Sequence, residues 1–141
     1  MLKNVHPLLT GPLLSLLDRM GHGDVLGLVD RNFPAYRYGA PVIDFRGVDT
    51  EAAAAALLSV FPLDGFVDEA VHRMEIDGAP DEITAATASL QKAADAAEGR
   101  PVRIAPVERF AFYDSAKEAS AFVQTGETVP YSCYLLRKGV V

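Results

Sequence analysis

Apolar positions with helical spacing alternate along the chain with short unbroken apolar runs. Leu13, Leu16, Leu17 and Met20 recur at i, i+3, i+4 and i+7, which predicts a first helix with Ser15, Asp18 and Arg19 off its apolar stripe. Thr10 stands at the N-cap position, Pro12 falls in the first turn where an N–H has no helical partner, and Gly21 and Gly23 end the helix. Val25–Val29 has no helical periodicity and reads as a buried strand stopping at Asp30. Residues 31–41, with Asn32, Pro34, Gly39 and Pro41 among several aromatics, read as a loop, which Tyr36-Arg37-Tyr38 makes bulky.

Val42–Phe45 predicts a second strand. Asp49 and Thr50 then supply an N-cap for a helix with Ala54, Leu57, Leu58 and Phe61 on one face, closed by Pro62. The alanines from 52 to 56 are strong helix formers and allow close approach to a sheet. A strand is expected over 71–76, broken by Asp77-Gly78. The longest helix follows from Pro80 and Asp81, with Ile83, Ala86, Leu90, Ala94 and Ala97 sharing a face and Gly99 as C-cap. Residues 103–107 are strand-like, a short aromatic helix is expected over 112–119, and 122–125 and 134–136 read as terminal strands around a Gly126-Glu127 turn. Alternation of this kind predicts an α/β fold, a single compact domain over 1–141 with a largely parallel sheet covered by helices. The alanine-rich faces suit either helix–sheet packing or contact between subunits.

Composition narrows the function. Half of the 141 residues are hydrophobic and 23% are charged, which excludes disorder as the main state. Thirteen basic against nineteen acidic side chains give a net charge of -6, and no local basic patch offsets it, so nucleic acid is not an expected partner. Cys133 is the only cysteine; it forms no intrachain disulfide and no Cys-based metal site, and it suits a reducing compartment. The longest apolar run, 52–58, is far too short for a bilayer. Pro7, Thr10-Gly11-Pro12, Asp18 and Arg19 interrupt any secretory core, so a cytoplasmic location is expected, with no membrane partner.

Three polar groups can carry chemistry. The first is Gly21-His22-Gly23-Asp24 before a strand and Asp30 after it. Imidazole exchanges protons near neutrality and flanking glycines permit close approach of a ligand, although His22 reads equally as a surface residue at a helix end. Asp30 lies at the carboxyl end of a strand, a favoured ligand position in parallel sheets. His22, Asp24 and Asp30 lack the spacing of a metal site, and His6 and His72 are weaker candidates still. The second is Glu108-Arg109 with Tyr113, where the guanidinium suits hydroxyls, a carboxylate or a phosphate, or else forms a solvated charge pair. The third is Tyr131-Ser132-Cys133, whose tyrosine suits proton donation, stacking on a sugar face or packing at a strand edge. No GxGxxG, no phosphate-binding loop and no GxSxG elbow is present.

Taken together, Leu2-Lys3, Pro7-Leu8-Leu9, Met20-Gly21-His22-Gly23-Asp24, Asp30 with Asn32-Phe33-Pro34-Ala35, Glu108-Arg109-Phe110 with Phe112-Tyr113, Thr125-Gly126-Glu127, Tyr131 and 135–140 run nearly end to end. In this combination the chain resembles the ribose pyranase/fucose mutarotase (RbsD/FucU) family, and is closer to its fucose mutarotase branch. The resemblance implies an isomerase that exchanges the α and β anomers of a free monosaccharide, most readily L-fucose, with no cofactor and no metal. The alternatives are a D-ribose pyranase and a monosaccharide-binding protein without turnover. It implies His22 as the proton donor, Asp30, Arg109, Tyr131, Ser132 and Cys133 as substrate-binding residues, and a cytoplasmic homo-oligomer, often a ring, with sites near subunit interfaces. Cys133 stands where the family usually has asparagine, so one directed sugar contact is weakened and sugar preference is expected to shift.

Overall fold

The structure, a computed structural model, describes residues 1–141. Six strands, β1 (Val25–Val29), β2 (Val42–Phe45), β3 (Val71–Met74), β4 (Ile104–Val107), β5 (Ala119–Thr125) and β6 (Tyr134–Arg137), form one sheet in the order β2-β5-β1-β6-β3-β4. β6 runs antiparallel to both neighbours, and the other pairings are parallel. The expected largely parallel sheet is therefore present with one reversed strand near its middle. This reversal matters for the site, because the segment leading into β6 emerges at the edge where β1, β3, β4 and β5 end.

Four helices cover the sheet: α1 (Gly11–Arg19), α2 (Thr50–Leu58), α3 (Ala85–Glu98) and α4 (Arg109–Ser115). Leu13 and Leu17 of α1, Leu57 of α2 and Leu90 of α3 pack with Leu26, Leu28, Val71, Val123 and Leu136 into one large core. On the other face α4 and the 31–41 loop bury Phe33, Phe112, Phe122 and Cys133 with Val29 and Leu135. The alternation of Leu26 and Leu28 against Val29 along β1 sends side chains into both cores, as a strand buried on two faces requires. Gly27 belongs to this arrangement, because a Cβ there would collide with the Phe122 ring.

Several element boundaries differ from the sequence expectation for identifiable reasons. α3 starts at Ala85, not Pro80, because Thr84 caps it by accepting from Thr87 N at 3.1 Å; Ile83 is left 57% exposed. α4 starts at Arg109 because the Glu108 carboxylate accepts from Phe110 N and Ala111 N, and it ends at Ser115, where a 3-10 turn over Ala116–Glu118 takes over. β5 begins at Ala119, in register with Val25. β3 ends at Met74, and α2 ends at Leu58, with Phe61 buried beyond it. The 31–41 loop contains a 3-10 turn at Ala35–Tyr38, in which Tyr36 points to solvent while Tyr38 packs on Phe33 and Phe122. No helix is long and apolar enough to cross a membrane.

Candidate active site

His22 sits in the tight turn between α1 and β1. Asp24 holds this turn by accepting from Gly21 N at 2.7 Å, and Gly23 takes φ +86°, a conformation that favours glycine. The turn is tied to the end of β6: Gly23 N donates to Lys138 O, Lys138 N to Asp24 O, and Arg137 Nη1 to Gly23 O. Lys138 Nζ donates to the carbonyls of Leu17 and Met20 at the carboxyl end of α1, where cations are favoured. On this scaffold His22 Nε2 lies 3.2 Å from Asp64 Oδ2, and the imidazole meets the Phe66 ring edge-on at 5.6 Å. The Phe66 N–H does most to hold the Asp64 carboxyl below its ordinary value, against the opposing effect of burial; His22 adds to it. A cavity of about 490 Å³ adjoins His22, lined by Leu17, Met20, Val60, Pro62 and Val140.

Asp30 lies at the other end of β1. It is buried, and its Oδ1 accepts from Asn32 N at 2.9 Å and Phe33 N at 3.0 Å, which turns the chain sharply off the strand. Gln124 Nε2 donates to Phe33 O at 2.8 Å and braces the same loop. Tyr131 takes φ 63°, an unusual conformation for a non-glycine residue, in the segment that returns into β6. Ser132 is buried with no partner for its Oγ. Cys133 is 2% exposed; burial pushes its thiol well above the ordinary range, and the neighbouring Asp30 charge pushes further. Arg109, at the start of α4, faces the same edge and pairs with Asp77. Glu127 organises the loop before Tyr131: its buried carboxylate accepts from Thr50 N, Thr128 N and Val129 N.

The structure thus brings Asp30, Arg109, Tyr131, Ser132 and Cys133 to the carboxyl edge of the sheet and leaves His22 at the opposite edge. The five residues of β1 alone separate the two by about 16 Å at strand rise. Asp24 is a turn residue and does not join either group. His72 pairs with Glu69 at 3.6 Å, His6 Nδ1 accepts from Leu8 N, and no three His, Cys, Asp or Glu residues are placed to hold a metal ion. Asp64, Asp77 and Glu127 did not stand out as functional in the sequence pattern. Asp64 follows Leu63, whose bridge to Lys138 brings it against His22 from 42 positions away, and no local spacing signals this.

Fold and site together define a class: a small α/β protein with a cluster of polar side chains at the carboxyl edge of its sheet and a His–Asp pair at the other edge. Within it, the chain belongs to the RbsD/FucU family, since the model of the RbsD / FucU transport protein family matches residues 3–141. It is 39% identical over 147 residues to the L-fucose mutarotase of Glaesserella parasuis serovar 5, covering 99% of this chain and 96% of that one. The crystal structure of FucU from Bifidobacterium longum matches with a TM-score of 0.92 at 34% identity, covering 99% of each chain. The fucose mutarotase from Streptococcus pneumoniae in complex with L-fucose matches with a TM-score of 0.90 at 31% identity, again over 99% of each chain.

Proposed function

We propose that this protein is a carbohydrate isomerase, an L-fucose mutarotase that exchanges the α and β anomers of the free sugar. The observation that carries the reading is the His22–Asp64 pair, in a chain similar over its whole length to L-fucose mutarotases. Exchange requires a proton on the ring oxygen and loss of one from the anomeric hydroxyl as the ring C–O bond breaks to a carbonyl. The regenerated hydroxyl then attacks the other carbonyl face and closes the ring. These steps need only positioned groups of moderate acidity. With Nε2 held by Asp64, His22 Nδ1 serves the sugar. The buried carboxylate fixes the ring and stabilises the imidazolium, a positioning role familiar from hydrolytic triads. Asp30 and Arg109 hold hydroxyls, the Tyr131-Ser132-Cys133 segment shapes the pocket, and Tyr131 or a water takes the anomeric proton.

Because His22 and the hydroxyl-binding group lie at opposite sheet edges, a complete site requires two copies: the amino edge of one subunit meets the carboxyl edge of another. A homo-oligomer, ring-shaped and cytoplasmic, is the assembly this reading supports. The test dissolves pure α-L-fucose and follows optical rotation to equilibrium with and without protein, with D-ribose and D-galactose alongside. Acceleration greatest for L-fucose is expected. Binding without acceleration selects the non-catalytic alternative, and a larger effect on D-ribose selects the pyranase.

A further inference from the structure

Arg109 is held by two neighbours. Its Nε lies 3.0 Å from Asp77 Oδ2 and donates to Asp77 Oδ1 at 3.2 Å, and its Cζ stands 4.7 Å above the centroid of the Phe110 ring. Asp77 comes from the segment between β3 and α3, 32 positions earlier in the chain. Phe110 is 64% exposed, so the guanidinium covers part of an otherwise solvated ring. The pairing consumes the Nε edge alone, and the N–H groups on Nη1 and Nη2 make no hydrogen bond within the chain. Both side chains of the pair are partly exposed, at 35% and 48%, so the pair contributes little to stability. Its geometric effect is larger: a long, otherwise free side chain is held over Phe110 on one side and tied through Nε to Asp77, with both terminal nitrogens left unpaired.

We propose that Asp77 is a positioning and specificity residue: it aims the Arg109 fork at two neighbouring hydroxyls of the bound sugar and offsets the guanidinium charge. The site thereby favours neutral sugars over uronates and other anionic sugars, for which an uncompensated arginine is a strong partner. The inference deepens the mutarotase reading and rests on Arg109 as a sugar ligand.

A double-mutant cycle tests it. Anomer exchange of L-fucose is measured by saturation-transfer NMR in the wild type, Asp77→Ala, Asp77→Asn, Arg109→Ala and Asp77→Ala/Arg109→Ala, with circular dichroism confirming the fold of each. Asp77→Ala is expected to raise KM about 3- to 10-fold with a much smaller change in kcat, and to add nothing once Arg109 is gone. Asp77→Asn keeps an oxygen facing Nε, so its KM stays nearer the wild type, while inhibition by D-galacturonate becomes stronger than in the wild type. An unchanged KM in Arg109→Ala removes Arg109 from the sugar site and defeats the underlying reading. A raised KM in Arg109→Ala with a wild-type KM in Asp77→Ala, or an equal effect of Asp77→Ala in both backgrounds, overturns the positioning role alone. Equal galacturonate inhibition of wild type and Asp77→Asn overturns the charge-selection role.

Discussion

His22 and Asp64 face each other at 3.2 Å with unequal exposure, the imidazole 47% open to solvent and the carboxylate only 3%. A buried, ionised carboxylate behind a half-open imidazole orients the ring while leaving its far nitrogen free. In the mutarotase reading, His22→Asn lowers enzymatic exchange by about 10²- to 10⁴-fold with the fold retained, because the lost group is a proton donor. Asp64→Asn lowers it less and leaves sugar binding intact. Since the Asp64 carboxyl is held below its ordinary value, it is ionised above that range, and its contribution fades as pH falls through the lowered value. Saturation-transfer NMR from pH 3 upward, after subtraction of spontaneous mutarotation, reads both effects; wild-type rates in folded His22→Asn move the acid role to Asp30 or Tyr131.

The separation of His22 from Arg109 predicts complementation. In the mutarotase reading, His22→Asn and Arg109→Ala proteins, each impaired on its own, regain activity above the sum of the two at low L-fucose when co-expressed or dissociated and reassembled together. Random mixing leaves about a quarter of interfaces with both groups intact. Failure of every mixture, with hybrid oligomers demonstrated by mass spectrometry, shows that each copy builds its site alone.

Glu127 ties three peptide N–H groups from two parts of the chain to one carboxylate. Burial opposes its ionisation, but the N–H groups of Val129, Thr50 and Thr128 outweigh that opposition and hold its pKa below the usual range. The sign follows: the stabilisation is present above the unfolded carboxylate value and is lost as pH falls through the lowered folded value. Glu127→Gln turns an amide toward donors that need an acceptor, and costs about 2–4 kcal/mol near neutrality. Urea unfolding of both proteins at neutral and acidic pH is expected to show this gap narrowing as the solution is acidified.

The strands and helices were legible because their apolar spacing is local: Val25–Val29 and Val42–Phe45 are read and observed with the same limits. Gly99 caps the carboxyl end of α3 as read, but the starts of α3 and α4 were not legible, because Thr84 and Glu108 compete as caps with neighbours of similar propensity, and geometry alone shows which side chain accepts. The candidate residues were legible as a family pattern, and His22 and Asp30 as the two ends of one strand, but the gathering of Tyr131, Ser132 and Cys133 on the Asp30 side was not. It follows from β6 running against the sheet. Asp64 and Asp77 were silent because each meets its partner across a long loop, the first a short way past Pro62 and the second in what reads as a turn.

Gly27 has no side chain because Phe122 occupies the space. Gly27→Ala is expected to destabilise the protein by about 1–3 kcal/mol, as overpacking in a closed core does. Thermal unfolding checks this, and an additional Phe122→Leu substitution is expected to recover part of the loss.

Cys133 is expected to resist iodoacetamide at pH 8 in the folded protein and to react after unfolding, since burial both covers the sulfur and keeps it protonated. Cys133→Ser retains turnover, and Cys133→Asn changes the ratio of rates on L-fucose, D-galactose and D-ribose. Loss of turnover in Cys133→Ser with sugar still bound assigns the thiol a chemical role instead.

In the mutarotase reading, placing the proton donor at one end of β1 and the sugar ligands at the other makes every copy two unequal halves of a lock. Joining such halves is a head-to-tail contact rather than a self-complementary one, and head-to-tail contacts either extend without limit or close on themselves. An open string always carries one idle half at each terminus, whereas a closed one carries none. Catalytic yield per subunit thus rises with closure, which ties the symmetry of the assembly to the rate of the reaction.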